Sequence, residues 1–272
     1  MRNLISEYKQ NKFDFVHGHY QDVYRNVHLR DDVCDCDALL FTDEMIYEAH
    51  KYDGIKIAVL LEVRDIIEYL NNQSGNTRNI YRDIENELLN NQFYKIFTFD
   101  RDLLEKGNNK FVFYPFGGCW IPKDDRKIYE KSKSISIISS YKKMTTGHLL
   151  RHKIIDLFGK YIDGIFGTGY KYIPQKLDGL KNYKYSIVVE NVKRDYYFTE
   201  KIIDCFVTGT IPIYYGCPSI GDFFNVNGII TFDSTEDLYK ILKNITKNDY
   251  NDRIEYIKDN YNLAQQYIER VF

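Results

Sequence analysis

From about residue 36 onward, short apolar runs alternate with stretches of helical period. "DALLFT", "IKIAVLL", "YKIFTF" and "FVFYPF" are rich in branched and aromatic residues, which predicts strands. Between them, "RDIIEYL" and "NIYRDIENELL" place apolar residues three and four apart, which predicts helices. Such alternation predicts a parallel sheet covered by helices. A polar, basic stretch, "IPKDDRKIYEKSKS", then breaks the pattern near residues 121–133. The expected division is an N-terminal domain of residues 1–125 and a C-terminal domain of residues 126–272. The second half repeats the alternation: strand "SISIIS", helix "TTGHLLRHKIIDLFG", strand "YIDGIFG", helix "PQKLDGLKN", strand "YKYSIVV", helix "TEKIIDCFVTG", strands "TIPIYY" and "GIITF". In "TEKIIDCFVTG", Ile202, Ile203, Phe206 and Val207 form one apolar stripe, with Thr199 placed to cap and Gly209 to terminate. "STEDLYKILKNI" opens with a capping box from Ser234 to Asp237, and the tail from Asp252 is helical in pattern. The expected fold class is α/β, with two Rossmann-like halves facing one another and ligands beyond the carboxyl ends of the strands.

Composition narrows this picture rather than changing it. The 272 residues are 44% hydrophobic and 28% charged, as in an ordinary globular chain. Lys and Arg number 37 against 39 Asp and Glu, so no global basic field recruits nucleic acid. No apolar run approaches the ~20 residues that span a bilayer, and the start lacks the apolar segment of a signal peptide. Five scattered cysteines argue for reduced thiols, and the cytoplasm is the expected compartment.

Candidate chemistry concentrates in "ENVKRDYYFTEKIIDCFVTGTIPIYYG", residues 190–216. Glu190 and Asn191 follow a buried strand, while Glu200 and Lys201 open the next helix. Strand end, loop and helix N-terminus together suit an anion, because free backbone N–H groups point there. Lys201 adds a positive charge, Glu200 can accept two hydroxyl hydrogen bonds as from a ribose, and Tyr197 offers a flat face and a donor. The same spacing equally fits a capped helix with solvated charges, and spacing alone leaves both readings open.

The stretch resembles the signature of glycosyltransferase family 10, the α-1,3/α-1,4-fucosyltransferases: E-N-S, a short gap, Y-x-T-E-K, an apolar helix, then I/V-P-V/I-Y-x-G. It stands here as Glu190-Asn191-Val192, Tyr197-Phe198-Thr199-Glu200-Lys201 and Ile211-Pro212-Ile213-Tyr214-Tyr215-Gly216. "IAVLLEVRD", "IFTFDRDLL" and "FVFYPFGG" are similar to segments of that family's acceptor domain. The resemblance implies a GT-B type fold and an inverting, metal-independent transfer of fucose from GDP-fucose to an acceptor glycan, with no cofactor. GDP-mannose as donor, or a catalytically silent nucleotide-sugar or glycan binder, are the alternatives. Residue by residue, Glu200 resembles the ribose-binding glutamate, Lys201 the lysine near the diphosphate, Tyr197 the tyrosine beside the donor, and Arg151 the pyrophosphate-binding arginine. Glu190 and Asn191 belong to the same donor-binding set. Glu62 resembles the catalytic base, at the end of an apolar strand where desolvation moves a carboxylate toward a base's working range; pairing with Arg64 is the alternative there.

Departures from the pattern are Val192 in place of serine, and Ser139-Ser140 in place of a Ser-Asn pair after the first strand of the second domain. Golgi members of the family carry an anchor and paired cysteines, so the expectation here is the soluble bacterial or viral type. Three further pairs invite a metal reading: Asp35 and Asp37 in "CDCDALLF", His17 and His19, and Cys34 and Cys36. The aspartates have the spacing of a metal-binding D-x-D transferase motif, but they open an early strand and the resemblance implies no such metal, so solvated carboxylates are expected. The H-x-H and C-x-C spacings match no standard zinc finger, and structural roles are expected there. "GTGY" at residues 167–170 is a glycine-rich loop placed to line a nucleotide pocket.

Overall fold

Every strand pairing among the described residues is parallel, and the strands sort into two five-stranded sheets. The computed structural model describes residues 13–16, 38–75, 77–107, 109–115, 117–245 and 249–268. The chain divides into two compact units, Met1–Tyr114 and Pro115–Phe272.

In the first unit the strands are β1 (Phe13–Val16), β2 (Ala38–Thr42), β3 (Lys56–Val59), β4 (Lys95–Thr98) and β5 (Phe111–Phe113), in sequential order across the sheet. Parallel neighbours need crossovers, supplied here by a 3-10 segment (Asp43–Lys51) and by helices α1 (Arg64–Ser74), α2 (Ile80–Glu85) and α3 (Arg101–Leu104). Phe41, Ile46, Ala58, Ile67, Tyr81, Ile84 and Ile96 fill its core. Strand β1 lies before the start of the predicted alternation. Asp35, Asp37, His17, His19, Cys34 and Cys36 lie outside the described residues.

The second sheet comprises β6 (Lys133–Ile138), β7 (Gly164–Phe166), β8 (Tyr183–Val189), β9 (Ile211–Tyr215) and β10 (Ile230–Thr231), in the order β10-β9-β8-β6-β7. The chain moves outward from β6 to β7, then returns to the other side of β6 for β8. Loops leaving β6 and β8 therefore diverge and open a crevice at their carboxyl ends. Tyr185, Ile187 and Val189 of β8 pack with helices α4 (Thr146–Phe158) and α6 (Thr235–Asn244). Val188 faces the opposite core, with Ile202, Ile203 and Phe206 of α5 (Glu200–Phe206). The predicted capping box holds, since Ser234 Oγ accepts the Asp237 N–H at 3.1 Å. Helices α7 (Asp249–Asp252) and α8 (Ile254–Ala264) complete the unit. No helix among the described residues is long and apolar enough to cross a membrane.

Several predicted elements come out smaller than the pattern suggested: of "NIYRDIENELL" only Ile80–Glu85 is helical, and of "FVFYPF" only Phe111–Phe113 pairs as a strand. "PQKLDGLKN" forms only a 3-10 turn, Lys176–Gly179. Gly179 there lies so close to β6 that an added Cβ would sit 2.8 Å from Ile138 Cδ1. "GIITF" pairs over two residues only. Residues 117–121, placed by sequence at the end of the first domain, are bonded to second-unit residues. Gly118 N–H donates to the Tyr267 carbonyl (2.7 Å), Trp120 N–H donates to Asp204 Oδ1 (2.7 Å), and Ile121 is buried beside Phe198.

The start of α4 meets the end of β8 without space for a side chain. A Cβ on Gly147 would lie 1.8 Å from the Glu190 carbonyl oxygen, whereas one on Gly159, at the other end of the helix, would meet only Ile165 Cδ1 at 3.6 Å. Gly147→Ala should therefore destabilise by about 1–3 kcal/mol. Gly159→Ala, in helical backbone, should be neutral or stabilising by about 0.4–1 kcal/mol. Denaturant midpoints at unchanged m-value measure both.

Candidate functional site

Strand β8 stops at Val189, and the next residue, Glu190, has no exposed surface. A carboxylate in such a place must be paired and hydrogen-bonded to be tolerated. Its backbone N–H continues the ladder to the Tyr215 carbonyl at 2.8 Å. Oε1 accepts the Thr199 N–H at 2.9 Å, while Oε2 accepts the Thr199 hydroxyl at 2.8 Å and the Lys201 ammonium at 3.3 Å. Thr199 is the N-cap of α5, its Oγ1 accepting the Lys201 N–H. Gly216 gives the glutamate stem its space, for a Cβ there would lie 2.6 Å from Glu190 Cγ.

Arg151 reaches the same corner from α4 and is 5% exposed. Its Nε donates to the Val189 carbonyl (3.1 Å) and its Nη2 to Asn191 Oδ1 (2.7 Å). Burial draws its pKa below the usual arginine value, with Glu190, Tyr197 and Glu200 opposing that shift. The guanidinium is thus held rigidly by one side-chain amide and one carbonyl, with its charge still available to a ligand.

Beyond this corner lies a cleft of about 350 Å³ at the carboxyl ends of β6 and β8. Lys142, Arg151, Lys176 and Lys201 line it against the carboxylates Glu200 and Asp204; Ser139, Ser140, His148, Asn191, Gly167 and Thr168 complete its polar wall. Gly167, at φ +114°, presses the glycine-rich turn against β6, where a Cβ would fall 2.0 Å from the Ser139 carbonyl oxygen. His148 registers the cleft's field. Burial, then Arg151, Lys201, Lys142 and His152, push its pKa down to about 3, and its Nδ1 lies 2.7 Å from Thr145 Oγ1. The imidazole is therefore neutral near pH 7, beside a concentration of positive charge that suits an anion.

Lys176 Nζ lies 3.2 Å from both Glu200 Oε1 and Asp204 Oδ2, and Lys201 Nζ lies 3.8 Å from the same Glu200 oxygen. Burial works against its charge, but the two carboxylates more than offset that and leave its pKa raised. The ammonium also sits 5.6 Å from the centre of the Trp120 ring.

The structure thus brings Arg151, Asn191, Glu200 and Lys201 to one cleft. Glu190 and Tyr197, 0% and 2% exposed, lie behind that lining and support it. Glu62 belongs to the first unit, three residues past β3, between buried Leu61 and Val63. The Tyr81 hydroxyl donates to its main-chain oxygen at 2.6 Å. Arg64 directs its guanidinium to Asp100 (2.8 and 2.9 Å) and Glu85 (2.7 Å) and stacks on Tyr81. Lys142, His148, Lys176 and Asp204 escaped the sequence reading. Lys176 stood in a segment expected to be an ordinary helix, and only its tertiary partners distinguish it from a solvated lysine.

No family model matches the chain. Over 88 residues it is 38% identical to an alpha-(1,3)-fucosyltransferase of Helicobacter pylori, covering 30% of this chain and 18% of that protein. Over 52 residues it is 42% identical to alpha-(1,3)-fucosyltransferase B of Drosophila melanogaster, covering 19% and 12%. The matches span less than a fifth of those relatives' length. Solved structures of an alpha1,3-fucosyltransferase, one with GDP and one with GDP-fucose, each align with a TM-score of 0.51 over 87% of this chain and 79% of that one, at 14% and 15% identity. That likeness shows the fold, α/β of GT-B type.

Removing the buried carboxylate should leave the Thr199 N–H and hydroxyl without their acceptor and Lys201 without one of its partners. Glu190→Ala is expected to cost about 3–5 kcal/mol, against less than about 1 kcal/mol for exposed Glu255→Ala, by denaturant unfolding. His148 supplies a pH dependence. Its folded pKa, about 3, is below the unfolded value, so the folded chain refuses a proton that the unfolded chain accepts as pH falls below about 6.5. The contribution is intact above that pH and lost as pH falls toward 3. Relative to His148→Gln, the parent should lose up to about 1.4 kcal/mol per pH unit across that window, measured by unfolding at stepped pH.

Proposed function

We propose that this chain is an inverting glycosyltransferase that moves fucose from GDP-fucose to a hydroxyl of an acceptor glycan. The observation that carries the reading is the fixed pair of cations, Arg151 and Lys201, set by the Asn191 and Glu190 side chains beside a cleft at the sheet's switch point. A departing nucleoside diphosphate needs such charge already in place, because fixed charges require no reorganisation as the bond breaks. In this reading the cations do for the leaving group what a metal ion does elsewhere, and Glu200 accepts from the ribose hydroxyls. The fucosyltransferase names of the relatives, and the GDP and GDP-fucose in the aligned structures, favour that donor over GDP-mannose.

The chemistry is one displacement. The acceptor oxygen forms a bond to the anomeric carbon as the bond from that carbon to the diphosphate breaks, and the β-linked donor sugar becomes an α-linkage. Glu62 takes the proton of the acceptor hydroxyl, and GDP departs with the bonding electrons.

Thermal shift against a nucleotide-sugar panel tests the donor. GDP and GDP-fucose should stabilise the fold by about 2.7 kcal/mol at a hundredfold excess over Kd, and transfer should persist in EDTA. A response confined to UDP-sugars would remove the guanine assignment. Glu62→Gln should keep GDP binding and lower turnover by about 10²–10⁴; parent-like turnover would place the base elsewhere.

A further inference from the structure

We propose that Lys176 is a second ribose-binding residue, forming with Glu200 a donor–acceptor pair that grips the vicinal 2′- and 3′-hydroxyls and selects ribonucleotides over 2′-deoxyribonucleotides. The inference rests on the nucleotide reading of this cleft and deepens it. Both side chains line the cleft, with Lys176 Nζ and Glu200 Oε1 3.2 Å apart. An ammonium has three donors and no acceptor, and an ionised carboxylate accepts only. Two Lys176 donors are engaged by Glu200 and Asp204, which leaves the third for a ligand. A hydroxyl carries one donor and two acceptor lone pairs. A diol lying across the pair can therefore donate to Glu200 while accepting from Lys176.

Charge placement argues for a polyol here rather than a phosphate. Lys176 is matched by two carboxylates, one of which, Glu200, is shared with Lys201 at 3.8 Å, so its ammonium adds little positive excess to attract a diphosphate. Arg151, by contrast, is fixed by a neutral amide and a carbonyl. Glu200 thus joins the cations suited to the anion to the Lys176 and Asp204 pair suited to hydroxyls. That pair is also rigid. Asp204 is 1% exposed and held by the Trp120 N–H at 2.7 Å, and the indole covers the ammonium. Lys131 shows what a purely structural lysine looks like in this fold: its ammonium is enclosed by the carbonyls of Leu180, Lys181 and Thr208 and by Thr210 Oγ1, away from the cleft.

Trp120 is the chain's single tryptophan, and its ring centre lies 5.6 Å from the Lys176 ammonium, so its emission is a local probe of this part of the cleft. GDP, 2′-deoxy-GDP and inorganic pyrophosphate are titrated into the parent and Lys176→Met, following fluorescence and calorimetry together. The parent should prefer GDP over 2′-deoxy-GDP by about a hundredfold, and Lys176→Met should cut that preference by about tenfold, the worth of one hydrogen bond to a charged group. Pyrophosphate affinity should change by less than about twofold, well under the tenfold worth of such a bond. A merely structural lysine would weaken GDP and 2′-deoxy-GDP alike, and an unchanged preference in Lys176→Met overturns the proposal. If Lys176→Met fails to fold, Lys176→Met with Asp204→Asn removes one charge of each sign and carries the same comparison. A parent that binds GDP without preference over 2′-deoxy-GDP overturns this inference alone. A parent that binds neither GDP nor pyrophosphate removes the nucleotide reading and this inference with it.

Discussion

A single carboxylate without exposed surface, Glu190, determines how the cleft edge of the second unit is assembled. An isolated charge at that depth would cost several kcal/mol, so everything around it must answer its lone pairs or leave it room. Thr199 and Lys201 answer the lone pairs, which fixes the angle at which α5 leaves the loop. Gly216 leaves room beside its stem, and Gly147 leaves room over its carbonyl, bringing α4 and hence Arg151 up against the end of β8. Lys201 is held by that buried anion, and Arg151 by the Val189 carbonyl and the Asn191 amide on either side of it. That accounts for so much charge lying directly against an apolar strand.

The arrangement also separates two electrostatic tasks within one cleft. Lys201 is compensated by Glu190 and, at 3.8 Å, shares Glu200, while Arg151 is fixed by neutral groups and keeps its positive charge. Lys176 is matched by Glu200 and Asp204, so its part of the cleft presents a hydrogen-bonding surface with little positive excess. The low pKa of His148 follows from burial first and then from Arg151, Lys201, Lys142 and His152 acting in the same direction. A ligand with an anionic middle and a neutral, hydroxyl-rich end fits such a gradient without any side chain changing its charge state.

Much of this was legible in the chain. Strand and helix alternation, the α5 stripe, the Thr199 cap and the Ser234 box follow from local periodicity and capping chemistry, and tertiary packing did not override them. Of the site residues, the pattern identified which types occur together but not which face outward. Glu190 and Lys201 look equivalent as charges in a line, yet one is the buried support and the other lines the cleft. Tyr197 has the features of a ligand-stacking ring and is 2% exposed, in a loop that turns through Tyr196 at φ +61° just ahead of it. Lys176 could not be found from periodicity at all. Its partners are 24 and 28 residues away in sequence, and its segment lacks the regular helix that its pattern suggested.

The polar stretch between the halves shows the limit of composition most directly. "IPKDDRKIYEKSKS" has the charge of a solvated linker, yet its side chains are interleaved with the second core. Ile128 packs so closely on Gly209 that a Cβ there would lie 2.7 Å away, and Arg126 Nε donates to the Ile121 carbonyl at 2.9 Å. Lys131 carries its ammonium inward, where burial lowers its pKa to about 7, and there it ties together the carbonyls that end α5 and precede β8. A long cationic side chain can bury its stem and satisfy several carbonyls at once, which no short polar residue could do. Charge density in a sequence therefore marks where polar contacts are made, while the geometry of the carbonyls decides whether those contacts are with water or with the protein. Lys131 and Lys176 are both lysines in unremarkable polar segments; the first meets backbone carbonyls and closes the fold, and the second meets carboxylates beside an open cleft and remains available to a ligand.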